Sequence, residues 1–224
     1  MPKSAISFRI PSRLWGAFKA QTDDLFLSRA PFLDYVVRQE IANLRVELEG
    51  LKQSTRAKRH IAGALKRQDL TSVNIEVRPE TAEALRDATA AHNMGRDAFI
   101  SRLVIFLRST DALLKYLDVP RTVQHRGIGA SLEDMPTSPL GAMGAVRDDP
   151  LFSVRAHVED IHGCGIYRAP LPPSADWAAC YLPDELVPNT PANRRRLREE
   201  AEFLAVFSDE PVAQKPRAAR RSRK

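Results

Sequence analysis

Two short stretches of the chain alternate apolar and polar residues, Ala5-Ile6-Ser7-Phe8-Arg9-Ile10-Pro11 and Val73-Asn74-Ile75-Glu76-Val77-Arg78-Pro79. A period of two puts Ile6, Phe8 and Ile10, or Val73, Ile75 and Val77, on one face of a strand and polar groups on the other. A ribbon of this length does not stand alone in water, but two such strands paired antiparallel over packed helices do. Each stretch is followed by apolar residues at helical spacing. Pro11 and Ser12 open a helix to about Asp24, with Ser12 as its N-cap and Leu14 and Phe18 on one face, broken at Leu25-Phe26-Leu27. Ser28 caps a second helix with Pro31 in its first turn and an apolar face of Phe32, Leu33, Val36, Val37, Ile41 and Leu44, fading near Gly50.

The same order returns further on. Pro79 and Glu80 start a helix to about Ala91, His92 to Gly95 make a turn, and Arg96 opens a helix to Leu107, extendable to Leu117, that buries Phe99, Ile100, Leu103, Val104 and Leu107. Ile6 and Val73, Phe8 and Ile75, Phe18 and Leu85, Ser28 and Gly95, Phe32 and Phe99, and Leu33 and Ile100 all stand at one and the same sequence offset. A constant offset without insertions is an internal repeat. The expected organisation is a first copy over 1–50, a basic connector over 51–71 that is partly helical around Ile61 to Leu65, and a second copy over 72–119. Beyond it come a linker over 120–150, rich in proline and glycine, and a C-terminal α+β or irregular region over 151–208. A disordered basic tail over 209–224 completes the chain.

Charge sharpens this division. Residues 1–119 hold 19 Lys/Arg against 14 Asp/Glu, residues 120–214 hold 9 against 14, and residues 215–224 hold 6 against none. Basicity is concentrated in the repeats and the tail, which suits a polyanionic partner. The connector, with Lys52, Arg56, Lys58, Arg59, Lys66 and Arg67 against Asp69, reads either as a solvated linker or as a phosphate-contacting segment. The tail likewise reads as a solubilising segment or as a source of salt-sensitive DNA affinity. No apolar run reaches the 18 or so residues of a membrane span, and the N-terminus shows no apolar signal region, so a cytoplasmic protein without membrane contact is expected. Cys164 and Cys180 are then expected as reduced thiols.

Strand, helix, helix, twice in register, resembles the ribbon-helix-helix family of Arc- and MetJ-type DNA-binding proteins. Ser7-Phe8-Arg9-Ile10-Pro11 is similar to the family's ribbon, and Leu27-Ser28-Arg29 to the turn before its second helix. The resemblance covers 4–48 and 72–110. It implies a mostly α fold with one two-stranded antiparallel ribbon, a tandem pseudo-dimer in a single chain, whose ribbon enters the major groove of double-stranded DNA. A two-stranded β-ribbon does fit that groove. Carried over by position, the base readers are Ala5, Ser7 and Arg9 with Ser72, Asn74 and Glu76. Arg9 suits guanine O6/N7, Asn74 adenine, Ser7 either, and Glu76 cytosine N4. For Arg9 and Glu76 the competing reading is a cross-strand salt bridge. The phosphate clamps fall on Ser28 with Arg29 and Gly95 with Arg96, where helix N-termini favour anions. Gly95 departs from the usual hydroxyl, leaving backbone N–H groups and Arg96. Unlike outward residues on the two strands imply an asymmetric site.

In the C-terminal half, Phe152 to Val158, Gly165 to Tyr167 and Trp177 to Leu182 read as strands, and Ala192 to Phe207 as a helix capped by Thr190. His157, His162, Cys164 and Cys180 are ligand-capable, but their spacing matches no zinc pattern, so no metal or cofactor is assigned. Glu159 and Asp160 lack a nucleophile or phosphate loop beside them, so no catalytic residue is assigned either. This half is expected to bind a protein partner or a second copy. The function expected is that of a sequence-specific transcriptional regulator. Tandem copies also resemble accessory proteins of plasmid-transfer relaxosomes, and a zinc-dependent enzyme targeted by a DNA-binding module is the third reading.

Overall fold

The two alternating stretches do pair. In the computed structural model, which describes residues 4–119, 149–188 and 195, strands β1 (Ser4–Pro11) and β2 (Leu70–Val77) form one antiparallel sheet within the chain. Ser7 faces Asn74, Ile6 faces Ile75 and Phe8 faces Val73. The period of two acts as expected: Ile6, Phe8, Ile10, Val73, Ile75 and Val77 are buried, while Ala5, Ser7, Arg9, Ser72, Asn74 and Glu76 are all exposed. Among the described residues the chain is mostly helical.

Helices α1 (Ser12–Asp24) and α2 (Arg29–Glu47) follow β1, and α4 (Pro79–Ala91) and α5 (Arg96–Arg108) follow β2. The turns between them correspond bond for bond at the repeat offset. Leu25, Phe26 and Leu27 donate their amides to Gln21, Asp23 and Thr22, as His92, Asn93 and Met94 donate to Ala88, Ala90 and Thr89. Thr22 and Thr89 return their hydroxyls to carbonyls of the preceding turn, Phe18 and Leu85. Even the left-handed residue recurs, at Phe26 (φ 53°) and Asn93 (φ 52°). Asn adopts that conformation more readily than Phe, which incurs a steric cost there. Phe26 gains nothing in return from packing, since it is 96% exposed. Phe26→Asn is therefore expected to stabilise the chain by about 0.5–1 kcal/mol, read as a higher urea midpoint at constant slope. A lower midpoint would mean that the exposed ring makes a stabilising contact in solution.

Some elements differ from the sequence reading. The connector is helix α3 (Thr55–Lys66), capped by the Ser54 hydroxyl accepting from the Ala57 amide. It buries Ala57, Ile61, Ala64 and Leu65, a helical stripe too poor in large residues to stand out between so many charges. The second strand starts at Leu70, ahead of the expected copy boundary at 72. The N-cap position of α1 is Pro11, with Ser12 as its first residue, and Ser28 occupies the N-cap of α2 without a side-chain bond. The last helix of the second copy stops at Arg108, where Ser109 turns left-handed, and α6 (Asp111–Tyr116) restarts from a Thr110 cap.

The expected strands of the C-terminal half are not strands. Phe152–His162 is helix α7, Gly165 to Tyr167 is a turn, and a 3₁₀ turn over Pro173–Ala178 leads into extended chain. Up to Pro183 the described residues of this segment belong to one compact unit with the repeats, whose core Leu151, Val154, Val158, Ile166, Tyr167, Ala169 and Cys180 join. Buried polar groups fix it there. Glu40 of α2 is joined to Arg155 and accepts from the Tyr167 hydroxyl at 2.6 Å, Glu47 accepts the amides of Tyr167 and Arg168, and Tyr167 stacks on Phe99 at 5.7 Å. A second unit begins at Asp184, described here only for a 3₁₀ turn over Asp184–Leu186 and its immediate surroundings. The expected linker, the Ala192 to Phe207 helix and the basic tail lie outside the described residues, apart from Asp149, Pro150 and Arg195. No described helix is long and apolar enough to cross a membrane.

Candidate nucleic-acid interface

The exposed face of the ribbon gathers all six expected readers. The register puts Ala5 opposite Glu76, Ser7 opposite Asn74 and Arg9 opposite Ser72. Ser7 and Asn74 are equivalent positions of the two copies, so their pair marks the middle of the face and Arg9 and Glu76 lie toward opposite ends. The cross-strand salt bridge between Arg9 and Glu76 is thereby ruled out, since four residues of strand, roughly 13 Å, separate their cross-strand positions.

Arg9 instead meets the first turn of α5. Its backbone N–H donates to Asp97 Oδ1 at 3.2 Å, and its Nε donates to Oδ2 of the same carboxylate at 3.2 Å. Asp97 is a site residue that the alternation of the strands does not indicate. An open depression beside it is lined by Ser7, Arg9, Ser72, Asn74, Arg96 and Asp97. At the end of β2, Arg78 makes a similar bond pair to Asp34 of α2, from its amide at 3.1 Å and its Nε at 2.7 Å. Burial opposes the charge of Asp34, but the Thr81 hydroxyl and the Arg78 amide and guanidinium outweigh it and hold the carboxyl below its ordinary value.

The expected phosphate clamps both lie at helix starts, and they are unequal, Arg96 alone of the two arginines lining the depression beside the ribbon's outward residues. Gly95 is the N-cap of α5, and Arg96 is exposed with no ion pair among the described residues. Arg29 is half-buried and joined to Asp23, and Pro31 removes one of the amides that the start of α2 would otherwise present. Helix α3 is fastened at its start to the α4–α5 turn: Gln53 donates its amide to His92, Asn93 donates to the Gln53 carbonyl at 2.8 Å, and Lys58 reaches Asn93 at 3.1 Å. Its exposed side carries Arg56, Arg59, Lys66 and Arg67.

The ligand-capable residues of the C-terminal half are not brought together. His157 bonds the Ser153 carbonyl, His162 the Leu117 carbonyl, and among the described residues no group of three or more His, Cys, Asp or Glu forms a metal cluster. Burial pushes the Cys180 thiol up to about 12, against the pull of Arg102. Burial and Glu47 raise Cys164 as well. Both are poor thiolates and act as packing residues. Comparison with protein-family models, with curated proteins and with solved structures finds no match.

Proposed function

We propose that the chain is a sequence-specific DNA-binding regulator of transcription, built as two tandem ribbon-helix-helix units that form a pseudo-dimer within one polypeptide. The observation that carries the reading is the ribbon itself. Ile6, Phe8, Ile10, Val73, Ile75 and Val77 are buried, every candidate reader is exposed, and Arg96 at the start of α5 lines the same depression as Ser7, Arg9, Ser72 and Asn74. A polar ribbon with such a back fits the major groove, and helix N-termini with arginines fit the phosphates on either side. The matching turns at the constant repeat offset support the two-unit description. Helix α3, fastened at its start to the turn that precedes Gly95, adds exposed positive charge to this part of the chain.

The ends of the face differ in charge, Arg9 with Ser72 at one and Ala5 with Glu76 at the other. The site read is accordingly asymmetric. Selection from random duplexes followed by footprinting tests this. Arg9→Ala is expected to cost about 1–3 kcal/mol on the selected site and little on random DNA, whereas Arg96→Ala should weaken both alike and reduce the salt slope by about one. Equal loss on both DNAs from Arg9→Ala, or no selected sequence at all, would refute groove reading.

A further inference from the structure

We infer that Asp97 is a positioning residue for base recognition: it holds Arg9 so that the Nη1/Nη2 edge of the guanidinium is presented to a guanine. This rests on the DNA-reading role proposed for the ribbon and assigns its specificity to an Arg9–Asp97 unit. An arginine has two parallel donor pairs that fit a guanine O6/N7 edge, one using Nε and one using only the two Nη groups. Asp97 occupies Nε, and the Nη groups have no partner among the described residues. The same carboxylate holds the Arg9 amide, so the side chain is fixed at its root and at its Nε. The rotamer freedom of a long arginine is thereby given up before DNA arrives.

Two observations point to recognition and away from a simple strand brace. A carboxylate beside a face that meets phosphates costs affinity, so its presence there needs a compensating role. The repeat also provides an internal comparison. The equivalents of Arg9 and Asp97 in the other copy are Glu76 and Ala30. Where the strand carries no arginine, the facing helix carries no aspartate. The Arg78–Asp34 pair differs, because it sits at the end of β2 with its aspartate only 12% exposed and acts as a corner brace. Arg9 is 53% exposed on the reading face.

The test uses the full chain and the duplex obtained by selection, with 7-deazaguanine placed at each guanine in turn. For the wild type, one position is expected to lose about tenfold in affinity. Asp97→Ala is expected to bind the unmodified site about tenfold more weakly and to become insensitive to 7-deazaguanine at that position, while its affinity for random DNA stays level or rises. Asp97→Asn keeps an acceptor for the Arg9 amide and should melt like the wild type, yet lose most of the same sensitivity. If both variants keep the wild-type sensitivity, Asp97 is only a strand brace and the inference fails. A selected site with no 7-deazaguanine-sensitive position overturns it too, leaving DNA reading intact. Absence of any sequence preference in the wild type would instead remove the proposed function itself.

Discussion

Replacing Arg102 by alanine is expected to remove about 3–5 kcal/mol of folding stability. Arg102 is among the largest fully buried side chains, on the inner face of α5. Its Nε donates to the Ile166 carbonyl, its Nη2 to the Ala169 carbonyl at 2.5 Å, and its guanidinium lies 5.4 Å from the centre of the Phe106 ring. Burial works against this cation and lowers its pKa, although Glu47 and other groups nearby pull the other way. Alanine relieves that desolvation but leaves two carbonyls without a donor and a cavity where the side chain was, each costing on the order of 1–3 kcal/mol. Arg102→Met fills the volume and should cost less than alanine. Urea denaturation reads the series through its midpoints. A loss below about 1 kcal/mol for alanine would show that the 166–169 turn is not held on α5 in solution.

Glu40→Ala is the second large effect, again about 3–5 kcal/mol, because it strands partners inside the core. Glu40 is 1% exposed, is joined to Arg155, and accepts from the Tyr167 hydroxyl at 2.6 Å and from Asn43 at 3.0 Å. Arg155 would keep Asp149 at 2.9 Å, but Tyr167 would keep no acceptor for its hydroxyl among the described residues. Glu40→Gln preserves an acceptor and should cost less, and it also isolates a pH effect. Burial raises the Glu40 carboxyl above its ordinary 4.5, with Arg155, Tyr167 and Asn43 opposing. A carboxyl that holds its proton more tightly in the fold than in the unfolded chain stabilises below the unfolded value and loses that contribution as pH rises through the folded one. Stability should therefore decline above about pH 4.5 in the wild type, and less so in Glu40→Gln. Glu47, raised by burial too, retains part of the slope. Asp34, held below 3.8, acts in the opposite sense and contributes stability that is lost as pH falls through its folded value. An unchanged slope in Glu40→Gln would show that this carboxyl titrates alike folded and unfolded. Glu40 and Arg102 both brace the turn that carries Tyr167, so the double variant should fall short of the sum of the two losses.

The ribbon and its four repeat helices are legible in the sequence because their buried positions follow one period each, with large residues at nearly every inward site. The C-terminal half misleads where two periods coincide. Val154 and Val158 satisfy both an alternating and a helical pattern, and in the fold Leu151, Val154 and Val158 are buried while Ala156 is exposed, which is the helical answer. A stretch as short as Phe152 to Val158 cannot separate the two, and Phe152, the residue that most favours a strand, lies exposed. The polar anchors of this half are invisible for another reason. Glu40, Glu47 and Arg102 are charged residues within apolar helices, and what buries them is a segment far downstream, beyond the end of the second copy. On the exposed face of the ribbon the six outward residues follow from alternation alone. Asp97 does not, since its role depends on a contact 88 residues distant in sequence. A signal for it is nevertheless present, as the paired exchange of Arg9 and Asp97 for Glu76 and Ala30 at the repeat offset.

Both strands of the sheet belong to one polypeptide, with α3 between them. Assembly of the ribbon is therefore first-order. Its population does not fall on dilution, as that of a ribbon shared between two chains must. No free half exists to exchange with a related protein, so the two edges of the face can diverge in sequence without generating mixed assemblies. At low copy number in a cell, every folded molecule carries a complete ribbon.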